Sequence, residues 1–277
     1  MMRSVLPVQS ALLEYIRTVF YRELRDVYSG LPKRPRWFLM RKIARFESVK
    51  LLVNYFRHLT TQSDVTYDVS QHQASLFQGV DVEHVVKCLR TDGVCLGLNL
   101  PHEIVEQIVQ FSKDVYCYGK AKPELGFYYH EKDRISHKLN INLSNADFYN
   151  TSNCRAIQMI VEDPVLLKIA RAYLGGPPVH QGTKLRWSFA TKLSDFEKYK
   201  LSQIFHYDLD DYCAMKFFFY LTDVGVDDGP HICISGSHKS KKFSISCCVG
   251  FIMKIIWSNF IVKTESNLFM EIQVMVL

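Results

Sequence analysis

Residues 205 to 238 constrain the fold of this chain more than any other part of its sequence. Residues 216–224 read KFFFYLTDV, an aromatic and β-branched run that is typical of a buried strand. The residues that follow, 227–230 (DDGP), are a turn signal. A second short strand is predicted from His231, ending in a Gly-Ser-His turn at His238. The pattern therefore predicts two consecutive strands joined by a turn.

An HxD pair, His206 and Asp208, precedes the first of these strands in the segment FHYD. If that segment is extended, its two-residue period places both side chains on one face. One imidazole and one carboxylate are two of the three ligands of the 2-His-1-carboxylate facial triad, which holds Fe(II) and leaves positions open for a co-substrate and dioxygen. The spacing alone is a weak signal, because two unrelated polar residues on a half-exposed strand produce the same pattern.

The segment HYDLDD…KFFFYLTDVGVDDGPHICISGSHK resembles the core of the phytanoyl-CoA dioxygenase-like family of Fe(II)- and 2-oxoglutarate-dependent oxygenases. Residues 89–100 (LRTDGVCLGLNL), with the PHEIVEQIVQF that follows, resemble the opening passage of the family. Residues 163–175 (DPVLLKIARAYLG) resemble the helix that leads into its barrel. The resemblance spans roughly residues 85–243, and the combination of HxD with Gly-Ser-His is its most specific part.

The resemblance implies an α+β fold with a double-stranded β-helix (jelly-roll) core and outer helices. It also implies Fe(II) held by His206 and Asp208, 2-oxoglutarate as co-substrate, and hydroxylation of a small-molecule substrate that the sequence does not identify. Tyr207 and Phe218 fall at positions where the family places rings near the co-substrate. The alternatives are packing against the barrel wall for Tyr207 and a place in the apolar core for Phe218.

The chain departs from the family pattern towards its C-terminus. The family has a further histidine ligand there, and an arginine whose bidentate fork pairs with the distal carboxylate of 2-oxoglutarate. No histidine follows His238 and no arginine follows Arg186. Either His231 or His238 could replace the third ligand, or both could be structural. We therefore expect a dioxygenase that is inactive or weak, with a barrel that is incomplete at the C-terminus.

The final segment, residues 244–277, fits the family least well. It shows no alternating pattern that leads to a barrel strand, and we hypothesise that it is translated in a shifted reading frame, which the coding DNA would decide. The sequence thus divides into a basic helical extension and linker (1–79), a partial β-helix domain (80–243) and this atypical tail (244–277).

Shorter patterns predict the order of elements before the HxD pair. Helical spacing predicts an amphipathic helix over 8–27 and a basic helix over 37–59, and further helices are expected at 82–89, after Pro101, and from Asp163 to Gly175. Strands are expected at 94–98 and 184–191.

Three cations lie on predicted strands, where an unpaired charge would be costly. Each of them is expected either to bind a carboxylate of the substrate or co-substrate or to pair with a nearby aspartate. The three cations are Lys184, Arg186 and Lys216, and the three aspartates are Asp208, Asp210 and Asp211. We interpret Asp210 and Asp211 as loop residues, because additional carboxylates would overcharge an iron site.

Basic residues are concentrated near the N-terminus. Residues 1–60 contain twelve Lys or Arg and four Asp or Glu, whereas the whole chain has a net charge of +6. Such a segment can attract an acidic lipid surface, a nucleic acid or a CoA-type phosphate, although a solvated helix face is the plainer explanation. No helix-turn-helix, zinc-finger or RNP-like motif supports nucleic acid. A non-catalytic binding or regulatory remnant that acts through these basic helices is therefore the alternative function.

The eight cysteines show no CxxC pair, which favours free thiols in a reducing compartment. No secretory signal is visible in residues 1–20, and the apolar stretch 249–262 is short and contains Lys254. We therefore expect a soluble, cytoplasmic protein without a membrane span.

Overall fold

The computed structural model describes residues 35–60, 74–189, 191, 208–225, 230–239 and 267–276. Several predictions concern other residues and lie outside the described ones. These are the helix at 8–27, the placement of His206 and Tyr207, and residues 244–266 of the tail.

The described helices begin with α1 (Pro35–Ile43) and α2 (Glu47–Thr60), so the basic helix expected over 37–59 is interrupted at residues 44–46. The helices expected at 82–89, after Pro101 and from Asp163 are confirmed. The remaining helices in this part of the chain are α3 (Val82–Asp92), α4 (His102–Asp114), α5 (Lys132–Leu139), α6 (Arg155–Val161) and α7 (Pro164–Leu174), with 3-10 turns at Tyr129–Glu131 and Thr151–Asn153.

The described strands form one antiparallel sheet in the order β2-β1-β3-β4-β6-β5. Among these residues the sheet does not close on itself, since β2 and β5 are its edges. The fold is therefore mixed helix and strand with an antiparallel sheet. The strands are β1 (Cys117–Gly119), β2 (Gly126–Phe127), β3 (Asn145–Asp147), β4 (Pro178–Ser188), β5 (Ala214–Tyr220) and β6 (Asn267–Val276).

Helix α7 shows how local sequence rules set the boundaries. The Asp163 carboxylate accepts the backbone N–H groups of Val165 and Leu166 at the N-terminus of the helix. The same buried carboxylate accepts the Ser75 hydroxyl and the Leu76 N–H, which fixes the incoming chain. Gly175 ends the helix with φ +78°, a left-handed conformation that glycine adopts without a steric penalty.

The two faces of the sheet differ in chemistry, because side chains alternate along each strand. On one face, apolar side chains of β4, β5 and β6 enter the core together with residues of α3, α4, α6 and α7. The buried strand residues include Leu185, Trp187, Phe217, Phe219, Met270 and Ile272. The opposite face, called the polar face below, carries Lys184, Arg186, Lys216, Phe218, Tyr220, Glu271 and Gln273.

Strand β6 corrects the interpretation of the tail. Residues 267–276 were expected not to form a barrel strand, but they pair with β4 on one side and β5 on the other. Met270, Ile272 and Val274 are buried and alternate with Glu271 and Gln273, which face the other way. The alternation required for a half-buried strand is thus present in the last ten described residues.

Two of the predicted strands, at 94–98 and from His231, are not formed. Residues 94–100 form no regular element; Gly97 has φ +102°, which interrupts an extended conformation, and Leu96 points into solvent. Residues 231–238 also lack strand pairing, and they end in a turn that contains Gly236 at φ +72°. No helix in the described residues is both long and apolar enough to cross a bilayer.

Candidate functional site

A cleft of about 310 Å³ opens on the polar face of the sheet. It lies where β4, β6 and β5 run side by side, next to the segment that leads into β5. Seven of its eight lining residues carry polar or charged side chains. The lining residues are Gly182, Thr183, Lys184, Asp208, Asp210, Lys216, Glu271 and Gln273.

Lys216 is the centre of the charge arrangement in this cleft. Its ammonium Nζ donates to Asp208 Oδ2 at 2.6 Å and to Glu271 Oε1 at 2.8 Å, and it lies 3.5 Å from Asp210 Oδ2. The strands explain this convergence. Lys216 on β5 is in register with Gln273 on β6, so Glu271 stands one polar-face position further along β6.

Two of these carboxylates, Asp208 and Glu271, determine the direction in which the pKa of Lys216 shifts. Burial by itself lowers the pKa of the ammonium, but the hydrogen bonds to Asp208 and Glu271 outweigh burial, and the net effect raises the pKa. The side chain of Lys216 is one quarter exposed and that of Glu271 less still. Lys216 is therefore a fixed positive charge across the physiological pH range.

Lys184 is the second cation of the cleft, in register with Glu271 on β6. The pKa of Lys184 is lowered, mainly by desolvation and in addition by the positive charge of Arg186. The negative charges of Asp147 and Glu271 act in the opposite direction but do not outweigh these effects. Its side chain still reaches solvent. Within the described part of the chain no carboxylate lies within 4 Å of its ammonium, which makes Lys184 available to an anionic ligand.

Arg186 has a structural partner. Its guanidinium donates to both carboxylate oxygens of Asp147 on β3, at 2.6 and 2.9 Å, and Asn145 donates to the same carboxylate. This bidentate pair lies across adjacent strands that are in register at these two residues. Of the two alternatives expected for these cations, pairing with Asp208, Asp210 or Asp211 is not found for Arg186 among the described residues. Lys216 does pair with Asp208.

Phe218 lies on the polar face and not in the apolar core, which takes its neighbours Phe217 and Phe219. The residue is 38% exposed, and the centre of its ring lies 4.2 Å from the centre of the His231 imidazole. The Tyr220 hydroxyl accepts the backbone N–H of His231 at 2.7 Å and lies 2.6 Å from its Nδ1. His231 is thus fixed over the Phe218–Tyr220 end of β5.

His238 belongs to a turn that packs on the end of α3. Its Nε2 donates to the Arg90 carbonyl at 3.3 Å, and its ring lies against Gly93. Ser235 donates to the Asp92 carboxylate at 2.9 Å, and the Gly236 N–H donates to the Asp92 carbonyl. These contacts give the Gly-Ser-His turn a structural role at the helix terminus.

The structure thus describes only part of the predicted site. Asp208 borders the cleft, Phe218 lies on the same face, and His206 and Tyr207 lie outside the described residues. Among the described residues no three His, Cys, Asp or Glu side chains form a group that could hold a metal ion. The donor chemistry nevertheless suits a cation, because carboxylates from Asp208, Asp210 and Glu271 already surround the Lys216 ammonium.

Glu271 is the charged residue of this cleft that sequence reasoning missed. It was assigned to the atypical tail, although residues 270–274 (MEIQV) alternate between apolar and polar side chains as a half-buried strand does. Asp210, which was interpreted as a loop residue, also lines the cleft. Its neighbour Asp211 points elsewhere and accepts a bidentate pair of hydrogen bonds from Arg57 of α2.

No match to this chain was found among protein-family models, curated proteins or solved structures.

Proposed function

We propose that the polar face carries an oxygenase site that depends on Fe(II) and 2-oxoglutarate, of the phytanoyl-CoA dioxygenase-like kind, in which His206 and Asp208 hold the iron. The position of Asp208 is the observation that supports this proposal most. Its carboxylate borders a cleft, next to a point where two further carboxylates already stabilise a positive charge.

The two-faced sheet also supports a jelly-roll architecture for the protein. A sheet with one apolar face under helices and one polar face around a cleft is the arrangement expected of one wall of a small-molecule-binding barrel. In this proposal the polar face lines the barrel interior, and the six described strands are part of its wall.

The residues of the proposed site have distinct roles. His206 and Asp208 hold Fe(II), and the iron, once bound with 2-oxoglutarate and dioxygen, supplies the oxidation of a C–H bond in a small-molecule substrate. Lys184 offers its ammonium to a carboxylate of the co-substrate or substrate, and Phe218 offers an apolar wall. Lys216 competes with the metal for Asp208, because the ammonium donates to that carboxylate at 2.6 Å.

Iron binding in this chain is weak for two reasons. The sequence supplies two ligands of the triad and lacks the later histidine and arginine of the family pattern. In addition, a divalent ion must displace Lys216 from Asp208 and then remain close to that ammonium, which repels it. The proposed activity is accordingly impaired.

Thermal unfolding of the full chain with Mn(II) and 2-oxoglutarate tests the site without requiring turnover. We expect a small rise in melting temperature that disappears in His206→Ala. His102→Ala is the matched control, because His102 is an exposed histidine on α4 and its loss leaves the metal effect intact. An equal rise in wild type and His206→Ala would contradict the proposal.

Succinate formation tests the impairment separately. We expect no Fe(II)- and 2-oxoglutarate-dependent succinate above background. Turnover that depends on both would show that another residue completes the triad, and His231→Ala and His238→Ala would then identify it. Turnover would therefore overturn the expected impairment, but the assignment of His206 and Asp208 would stand if both are required for it.

A further inference from the structure

Lys184 and Glu271 lie opposite each other on the polar face, because β4 and β6 are in register at these two residues. Opposite residues of an antiparallel pair have Cβ atoms about 5 Å apart, and opposite charges at such positions attract. Here the Glu271 carboxylate contacts the Lys216 ammonium of β5 at 2.8 Å, and among the described residues it forms no ion pair with Lys184. A cation and a carboxylate therefore stand side by side in the cleft without an ion pair between them.

The Lys184 ammonium has the capacity to bind an anionic ligand. A lysine ammonium carries three hydrogen-bond donors, and within the described part of the chain Lys184 forms neither a hydrogen bond nor an ion pair. Desolvation is the main cause of its lowered pKa, so the charged form lacks the stabilisation that a counter-ion would give it. A bound carboxylate would supply that stabilisation.

Glu271 and Asp210 have the capacity to bind a second cation. Glu271 contacts Lys216 through Oε1, and among the described residues no donor lies at hydrogen-bond distance from its Oε2. Asp210 Oδ2 lies 3.5 Å from the same ammonium, and its side chain is partly exposed. A carboxylate can accept about four hydrogen bonds. The Lys216 ammonium therefore leaves acceptor positions of both carboxylates open to the cleft that they line.

Gly182 provides room for a ligand beside these groups. It lies two positions before Lys184 on the same face of β4, and it lines the cleft. A Cβ at this position would meet no atom of the described residues within 4 Å. The cleft volume of about 310 Å³ is at the lower end of the range for small-molecule sites, so the ligand that fits is small.

The charges select among small ligands. A simple carboxylate would pair with Lys184 but would place its negative charge beside Glu271 and Asp210, and like charges repel each other strongly in a partly desolvated site. A simple amine would pair with the two carboxylates but would leave Lys184 unpaired and would repel it. A zwitterion that carries an ammonium and a carboxylate on one carbon satisfies both sides of the cleft.

We propose that this cleft binds an amino acid, whose carboxylate pairs with Lys184 and whose ammonium pairs with Glu271 and Asp210. Charge-assisted hydrogen bonds at both groups fix the orientation of the ligand, and its side chain extends over Gly182. Asp208, the residue that holds iron in the proposed function, lines the same cleft. That the amino acid is the substrate of an oxygenase rests on the proposed function, whereas its binding requires no iron.

Isothermal titration of the metal-free full chain, with EDTA present, tests this binding. Three ligands of matched shape separate the two charges. L-norleucine carries both groups, hexanoate lacks the ammonium, and pentylamine lacks the carboxylate. We expect norleucine to bind at least about tenfold more tightly than either of the others, because each of them lacks the charge-assisted hydrogen bonds of one group.

Lys184→Met removes the ammonium and keeps the length of the side chain. We expect the affinity for norleucine to fall by about tenfold or more, to a value near that for pentylamine, while pentylamine binds no more weakly than before. Lys87→Met is the matched control, because Lys87 is exposed on α3 and lies outside the cleft. Circular dichroism of each variant checks that the fold is retained.

Two other positions test the rest of the cleft. Asp210→Asn removes a negative charge that faces the ammonium of the ligand, so it should weaken the binding of norleucine and not that of hexanoate. Gly182→Leu fills the cleft and should abolish norleucine binding, whereas Gly182→Ala should weaken it much less.

Three results would overturn the proposal. One is no detectable binding of norleucine, and another is hexanoate binding as tight as that of norleucine, which would identify a site for anions only. The third is equal affinity of Lys184→Met and Lys87→Met for norleucine.

The iron site and the amino-acid site can fail separately. If norleucine binds as expected but Fe(II) does not bind, the oxygenase proposal fails and the amino-acid site stands. If Fe(II) binds and norleucine does not, only the amino-acid site fails.

Discussion

The Lys216 ammonium lies 2.6 Å from the carboxylate of Asp208, the one residue of the predicted iron pair that the structure describes. The same ammonium contacts Glu271 at 2.8 Å and thereby connects the segment before β5 to strand β6, which lies between β4 and β5. The contact stabilises the sheet and at the same time occupies the carboxylate that the proposed iron site would use. In that proposal, stability and metal binding oppose each other at Lys216.

Lys216→Met removes the charge and keeps the length of the side chain. We expect the free energy of unfolding to fall by about 1–3 kcal/mol, because three carboxylates then lose their counter-ion in a partly desolvated cleft. Chemical denaturation at neutral pH measures this loss. Lys87→Met is the control, since Lys87 is exposed on α3, and we expect no measurable change there. Equal stability of both variants would show that the ion cluster contributes nothing.

The pH dependence of that loss follows from the raised pKa of Lys216. A cation whose folded-state pKa is raised contributes its full stabilisation below the unfolded-state pKa, 10.5, and loses it as the pH rises through the folded-state pKa. The difference in unfolding free energy between wild type and Lys216→Met should therefore stay constant between about pH 7 and pH 9 and decrease only in strong alkali. A difference that vanishes near neutral pH would contradict the raised pKa.

Gly79 precedes α3 and Gly93 follows it. Substitutions at these two glycines distinguish the cost of backbone strain from the cost of a steric clash. Both have positive φ, +77° and +76°, but a Cβ at Gly93 would lie 2.5 Å from Nδ1 of His238, whereas a Cβ at Gly79 meets open space. Gly79→Ala should cost about 1–2 kcal/mol through the left-handed conformation alone. Gly93→Ala should cost more, because the turn at residues 235–238 must also move.

The double variant Gly93→Ala with His238→Ala measures the packing part directly. Removal of the imidazole should restore the additional stability that Gly93→Ala loses through the clash and leave only the conformational cost. Denaturation midpoints measure this difference. If the double variant is as unstable as the sum of the two single variants, the turn does not pack on α3.

A double-mutant cycle tests the anchor of α2. Arg57→Met and Asp211→Asn each break the bidentate pair, and we expect a coupling free energy of about 1.5–3 kcal/mol, because the hydrogen bonds are charge-assisted and shielded from water. Limited proteolysis should cleave the chain within α2 faster in each variant than in the wild type. Additive effects of the two substitutions would mean that this contact does not hold the helix in place.

Local rules in the sequence were sufficient for three helices of the core, α3, α4 and α7, but they did not predict α6, which also contributes buried residues. Asp163 and Gly175 mark the ends of α7 because capping depends on a few neighbouring residues. The same rules failed for residues 94–98, where an apolar stretch resembled a strand but Gly97 adopts a positive φ. A pattern of residue types does not reveal whether a neighbouring strand is available for pairing.

The site was less predictable because it depends on contacts between distant parts of the chain. Lys216 had several possible carboxylate partners, and only the register of β5 on β6 selects Glu271. The partner of Asp211 was also not predicted, because Arg57 lies on α2, more than 150 residues away in the sequence. Period-two alternation along β5 could have placed Phe218 on the polar face.

Anaerobic titration of Fe(II) into the wild type, Lys216→Met and His206→Ala tests the proposed site most directly. We predict weak binding by the wild type, tighter binding by Lys216→Met because Asp208 is released, and no specific binding by His206→Ala. Equal affinity of the wild type and His206→Ala, or no gain in Lys216→Met, would contradict this prediction.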